Sequence, residues 1–229
     1  MLSNLKQDLK KLSNPEKAKI LQGFFKTGKG QYGEGDIFLG ITVPQSRSIA
    51  KKYSSLELNK TQQLLNSKIH EERLIALFIL IENYPNNQKE IFNFYLSKTK
   101  QINNWDLVDL SAPKIVGKFL KDKPREILYE LAKSKNLWEK RIAIVSTYTF
   151  IRDNDFEDTF KISEILLNDK HDLIHKAVGW MLREIGKRNQ EILETFLKQN
   201  YNRLPRTTLR YAIERFEETK RKDYLKGEI

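Results

Sequence analysis

Apolar residues along the chain recur mostly at intervals of three and four, the spacing of one helical face. The pattern predicts helices over 2–12, 15–27, 44–53, 58–66, 70–83, 87–99, 104–120, 124–134, 137–152, 156–168, 171–188, 190–199 and 206–217. Start signals support several of them. Asn14-Pro15 and Asp122-Lys123-Pro124 each place a proline in a first turn, and Asp169 can cap the helix after it. IAIVSTYTFI (142–151) carries β-branched residues that suit a strand, but nothing nearby supplies a partner, so it is assigned to a helix. The connections are short and no low-complexity tract divides the chain, so successive helices should pack as antiparallel neighbours. Trp138 follows Trp105 by 33 positions and Trp180 follows Trp138 by 42, spacings compatible with two-helix repeats. The expected architecture is all-α: a single domain over 1–229, a curved α-solenoid of HEAT-like repeats with a concave basic cleft.

Three of these helices carry residues that the core does not explain. Over 171–188, Leu173, Ile174, Ala177, Val178, Met181, Leu182 and Ile185 form one stripe. Trp180 falls on the opposite face, with Lys176, Arg183 and Lys187 around it, and reads as a ligand-facing aromatic on a phosphate-binding face. A Trp buried against the next repeat is the alternative. Over 104–120 the stripe is Val108, Ala112, Ile115, Val116 and Phe119, and Trp105 and Asp109 share one face along its edge. Pro113 cannot bond back to the carbonyl of Asp109, so irregular backbone is expected there. Asp109 then reads either as a functional carboxylate or as the partner of a neighbouring arginine. Arg141, rooted in an apolar helix beside Val145, Tyr148 and Arg152, needs an anion, which Asp109 or a DNA phosphate could supply. A side chain snorkelling to solvent is the plainer account. Near the C-terminus, Arg206, Arg210 and Lys220 add phosphate contacts or simply line a solvated face.

Charge sharpens this picture. The 41 Lys and Arg exceed the 30 Asp and Glu by 11, and hydrophobic residues make up 39% of the 229. A folded basic protein makes a polyanion the first partner to consider, with solubility the plain alternative. There are no cysteines, which excludes disulfides, Cys-ligated zinc, iron–sulfur clusters and a thiol nucleophile. MLSNLKQDLKKL is amphipathic without a signal-peptide core, and the longest apolar run, LIALFILI (74–81), is too short to span a bilayer. A cytoplasmic, monomeric protein without a membrane segment is expected. His171 and His175 have the spacing of a zinc pair, but the motif is HDLIH without a third ligand, so no metal or other cofactor is expected. GKGQYGEGDIFLG (28–40) lacks the ending of a phosphate loop and reads as a turn or a mobile basic loop near a ligand.

Taken in order, NPEKAKILQGFFK, FLGITVPQSR, NNWDLVDLSAP, LWEKRIAI and HKAVGWMLRE resemble the AlkD family of HEAT-repeat alkylpurine DNA glycosylases over most of the chain. The resemblance implies excision of cationic N-alkylated purines, such as 3-methyladenine and 7-methylguanine, from double-stranded DNA without metal. It places the catalytic aspartate on Asp109, the cleft tryptophans on Trp105 and Trp180, and the cleft arginine on Arg141. Phe24 stands where relatives can carry a tyrosine on the lesion side. Arg47, Tyr148, Arg152, Lys176, Arg183, Lys187, Arg206 and Arg210 are the expected DNA contacts. Three readings remain: a monofunctional glycosylase, a non-catalytic binder of branched or distorted DNA, and a helical-repeat scaffold for an acidic protein.

Overall fold

The computed structural model describes all 229 residues and is helical throughout, its one extended pairing being an isolated parallel bridge between Ile37 and Ile69. Packing divides the chain into two compact units, Met1–Leu107 and Val108–Ile229, with the boundary inside a helix.

The first unit contains α1 (Leu2–Leu12), α2 (Pro15–Phe24), α3 (Val43–Lys52), α4 (Leu58–Leu65), α5 (His70–Asn83), α6 (Gln88–Ser97) and the start of α7 (Trp105–Ala112). Helix α5 is the centre. Every residue from His70 to Leu80 is buried, as the all-round apolar run LIALFILI requires. Its first turn is polar and equally buried, so each of those groups must find a partner. Glu71 accepts from the backbone N–H groups of Leu39, Gly40 and Ile41, and Glu72 takes Lys6 at 3.0 Å. Those bonds pin the segment that leads into α3, where Thr42 and Gln45 form a capping box. Asn14 caps α2 with Pro15 at its first position, as expected.

The second unit begins within α7, passes through a π-helical turn (Pro113–Gly117) and continues as α8 (Lys118–Leu120), α9 (Glu126–Ala132), α10 (Leu137–Ser146), α11 (Tyr148–Ile151), α12 (Glu157–Leu166), α13 (Asp172–Gly186), α14 (Gln190–Asn200), a 3₁₀ turn (Tyr201–Arg203), α15 (Arg206–Ala212) and α16 (Glu218–Lys226). The irregularity expected at Pro113 is the π turn, whose Pro113 carbonyl accepts from the Thr149 hydroxyl at 2.7 Å. Helix α10 is buried from Arg141 to Ser146 and packs on α9, α12 and α13. Helix α13 lies closest to α15. A Cβ on Gly179 would sit 2.5 Å from the Cβ of Tyr211 and 2.7 Å from the Thr208 carbonyl, so only glycine admits that approach.

Several boundaries differ from expectation. IAIVSTYTFI is helical but breaks at Thr147, whose hydroxyl bonds the Ile144 carbonyl at 2.7 Å and competes with the ladder. Pro124 precedes α9 instead of opening it. Arg125 there turns its guanidinium back to the carbonyls of Leu120 and Lys121. His171, not Asp169, is the N-cap of α13; Asp169 accepts from the His171 amide and pairs with Lys140 at 2.6 Å. The helix expected over 206–217 ends at Ala212. The charged helix α16, with Tyr224 as its buried anchor, carries too faint a periodicity to have been anticipated.

Candidate active site

In the second unit, Asp109 and Arg141 form a two-pronged ion pair. Nε and one terminal nitrogen of Arg141 donate to the two carboxylate oxygens of Asp109, both at 2.8 Å. The remaining terminal nitrogen donates to the Leu173 carbonyl at 2.5 Å. Helix α10 brings the arginine, α7 the aspartate, and the start of α13 closes the arrangement. The side chain of Arg141 is 6% exposed and that of Asp109 15% exposed. The guanidinium is therefore spent on protein acceptors, and the Asp109 side chain is the less buried of the two. Of the two anions offered for Arg141, Asp109 is the one that holds it here. A planar fork on a carboxylate fixes orientation as well as charge.

Trp180 is half-buried on α13, opposite the buried stripe of Ile174, Ala177, Val178, Met181, Leu182 and Ile185; Leu173, expected in that stripe, is only half-buried. Its ring lies 6.1 Å from that of Tyr148, tilted by 34°. The cations around it are not bare. Lys176 pairs with Asp172 at 2.7 Å, Lys187 with Glu184 at 2.7 Å, and Arg183 with Glu184 and Glu214. The face around Trp180 is thus a lattice of compensated charges, and its phosphate-binding capacity is smaller than the count of cations suggested. Two of these acids, Asp172 and Glu184, stand on α13 itself one turn from the lysines they pair with, and only Glu214 comes from elsewhere, the turn after α15. Arg152, Arg206 and Arg210 are all exposed, and Arg206 also donates to the Leu225 carbonyl at 2.6 Å. His175 spends a ring nitrogen on the Asp169 carbonyl at 2.5 Å, and no cluster of three or more His, Cys, Asp or Glu is arranged to hold a metal.

The first unit holds the other predicted aromatics. Phe24 is 61% exposed and meets the Trp105 ring edge-on at 5.9 Å. Trp105 stacks on Phe25 at 5.1 Å with 7° between planes. Arg47 is not free here: its guanidinium lies 4.1 Å over the Phe78 ring. Beneath the aromatics is a charged group that the sequence reading passed over. His70 bonds Asp36 through Nδ1 at 3.1 Å and Asp106 through Nε2 at 2.8 Å, and Arg73 donates to Asp36 at 2.5 Å. All four are buried. The Asp106 and Asp36 carboxylates raise the His70 pKa above the ordinary range against the opposing effect of burial; the bonds from His70 and Arg73 hold Asp36 below its own. This network closes the end of the glycine-rich stretch, which is built of turns with Gly30 and Gly35 at positive φ. Its sequence signal was HEER, a run of ionisable residues opening a helix that is otherwise apolar all round.

A model of the family described as DNA alkylation repair enzyme matches residues 5–216. No curated protein matches in sequence. Among solved structures, a predicted DNA alkylation repair enzyme from Enterococcus faecalis is 19% identical, with a TM-score of 0.73 over 90% of this chain and 97% of that one. AlkD2 from Streptococcus mutans is 19% identical, with a TM-score of 0.58 over 93% and 99% of the two chains. Smu.31 from Streptococcus mutans UA159 is 20% identical, with a TM-score of 0.56 over 76% and 93%. At these identities the likeness speaks for a shared helical fold. No helix is long and apolar enough to cross a membrane.

Proposed function

Since the chain belongs to the family of DNA alkylation repair enzymes, we propose that it is a monofunctional glycosylase that hydrolyses the N-glycosidic bond of cationic N-alkylated purines in duplex DNA. The observation that carries the reading is the Asp109 carboxylate, held in a fixed plane by the two-pronged bond from Arg141. An alkylated purine already bears positive charge and departs without protonation. What builds up is positive charge on the deoxyribose, and a fixed anion stabilises it. Asp109 supplies that anion and can orient the attacking water. Because Arg141 sets the plane of the carboxylate, little reorganisation accompanies the reaction.

Indole faces favour cationic neighbours by about 0.5–2 kcal/mol each. In the second unit, which also holds Asp109, Trp180 with Tyr148 therefore offers a surface suited to the lesion nucleotide; in the first, Trp105 with Phe24 is by itself an aromatic surface of the same kind. The excess of 11 basic residues supports duplex affinity without sequence preference. Exposed Arg152 and Arg210 are the proposed phosphate contacts, ahead of the paired Lys176, Arg183 and Lys187.

The test is incubation with a methylated duplex, with chromatography for free 3-methyladenine and 7-methylguanine and a gel for strand integrity. Free base with an unbroken abasic strand is expected. Tight binding without release would favour a non-catalytic binder of distorted DNA. Absent or salt-insensitive DNA binding would leave only the scaffold reading.

A further inference from the structure

The buried charges of the first unit meet the aromatic surface at one side chain. A neutral imidazole has one N–H, and a carboxylate can only accept. Both ring nitrogens of His70 face carboxylate oxygens, Asp36 at 3.1 Å and Asp106 at 2.8 Å, so only the doubly protonated ring donates to both, against the Arg73 guanidinium 3.4 Å from Nδ1. Charge balance agrees: with Arg73 on Asp36, the group is neutral when His70 carries its proton and holds an uncompensated buried anion when it does not. Asp36 comes from the loop before α3, Asp106 from α7, and Arg73 from one turn along α5. Glu71, beside His70 in sequence, faces the amides of Leu39, Gly40 and Ile41 instead.

The same imidazole supports the rings. It stacks on Phe38 at 4.4 Å and lies 5.0 Å from Phe25; Phe38 stacks on Phe25 at 4.9 Å, and Phe25 carries Trp105. Asp106, the second anchor, is the next residue after Trp105. His70 therefore reaches the indole by two routes, a column of rings and a bond to the adjacent residue. Asn104 joins them, buried, with its amide 3.5 Å from Asp36 and its side-chain oxygen accepting from the backbone N–H of Trp105 at 2.8 Å.

We propose that His70 is a positioning residue: clamped as an imidazolium between Asp36 and Asp106, it holds Trp105 against Phe25, and base excision requires it to stay protonated. The proposal rests on the glycosylase reading for its kinetic consequence but not for its structural one. Loss of the proton removes one donor, leaving Asp36 to Arg73 and Asn104 or Asp106 to the Leu107 amide, and loosens the ring column. Displacement of a positioning group by about 1 Å can cost on the order of 100-fold in rate.

The experiment has two arms. With 5-fluorotryptophan incorporated and its signals assigned through W105F, the ¹⁹F shift of Trp105 is followed from pH 6 to 10 beside the C2–H signal of His70. The Trp105 signal should move with the same midpoint as His70. A Trp105 signal that stays still while His70 titrates overturns the proposal, whatever the protein does to DNA. In the second arm, single-turnover release of methylated base is compared between wild type and H70Q over the same range, so that titration of the substrate cancels in the ratio. The ratio should be about 10–100 at pH 6 and fall toward one above the His70 midpoint. A ratio independent of pH, or an H70Q enzyme as fast as wild type at pH 6, overturns it. If H70Q does not fold, D106N serves: it should return the His70 midpoint toward the ordinary value and uncouple Trp105 from it. Coupled signals in a wild type that releases no base at any pH would uphold the clamp and remove the glycosylase reading instead.

Discussion

Replacing Asp109 with Asn keeps the shape of the side chain but leaves the Arg141 guanidinium, 6% exposed, without its counter-charge. One of the two charge-assisted bonds at 2.8 Å is lost, because the amide nitrogen cannot accept, the other is weakened, and the Leu173 carbonyl cannot neutralise the cation. Removing one partner of a buried pair costs about 3–5 kcal/mol. Because Asn can still accept from the guanidinium, about 3 kcal/mol is expected, equivalent to roughly 6–12 °C in Tm for a chain of this size. Arg141→Met strands an anion that is 15% exposed and can recover water, so about 2 kcal/mol is expected. The double variant leaves neither charge buried. It should be more stable than the sum of the singles predicts, by about 2 kcal/mol. Urea unfolding followed by circular dichroism measures all three. Additive losses, or an Asp109→Asn variant as stable as wild type, would show that the pair is not an energetic unit and refute the argument that Arg141 orients Asp109.

Salt titration of duplex binding should separate exposed from paired cations. Arg152→Ala and Arg210→Ala should each flatten the log–log slope by about 0.9, whereas Arg183→Ala should leave the slope alone and lower Tm; equal slope changes for all three would contradict the assignment. Stability should depend on pH through His70. Its folded pKa is raised, so its contribution is complete below the unfolded value and disappears as pH climbs through the folded one, and Tm measured from pH 6 to 10 should fall in wild type more than in H70Q. The lowered pKa of Asp36 acts at the other end: its contribution is complete above the unfolded carboxylate value and vanishes as pH falls through the folded one, making the D36N acid unfolding curve shallower. Gly179→Ala places a Cβ 2.5 Å from Tyr211 and should destabilise by about 1–3 kcal/mol, an overpacking cost visible in urea midpoints; an unchanged midpoint would mean that α13 and α15 separate freely.

Helical periodicity made most of the fold legible, because amphipathic faces leave their spacing in the sequence: α1 and α5 appear with their expected bounds. Where the prediction slipped, a side chain competes with the backbone ladder, as at Thr147, or the periodicity is weak, as in α16. The candidate site was half legible. Asp109 and Arg141 stood out because each was a charge at the edge of an apolar stripe, and that oddity resolved into a mutual pair. The cations near Trp180 misled, since their intrahelical partners Asp172 and Glu184 were not weighed beside them and Glu214 reaches Arg183 only through tertiary packing. The His70 cluster was illegible for a related reason. Its members come from positions 36, 70, 73 and 106, and only tertiary packing assembles them.

The most direct measurement of the central claim is single-turnover base release by Asp109→Asn at saturating methylated duplex, held well below its melting temperature. Loss of one well-placed charge stabiliser costs on the order of 100–1,000-fold in rate. The account predicts a loss of at least that size, with the dissociation constant for duplex DNA little changed. Release at the wild-type rate by a folded, DNA-bound Asp109→Asn protein would contradict it.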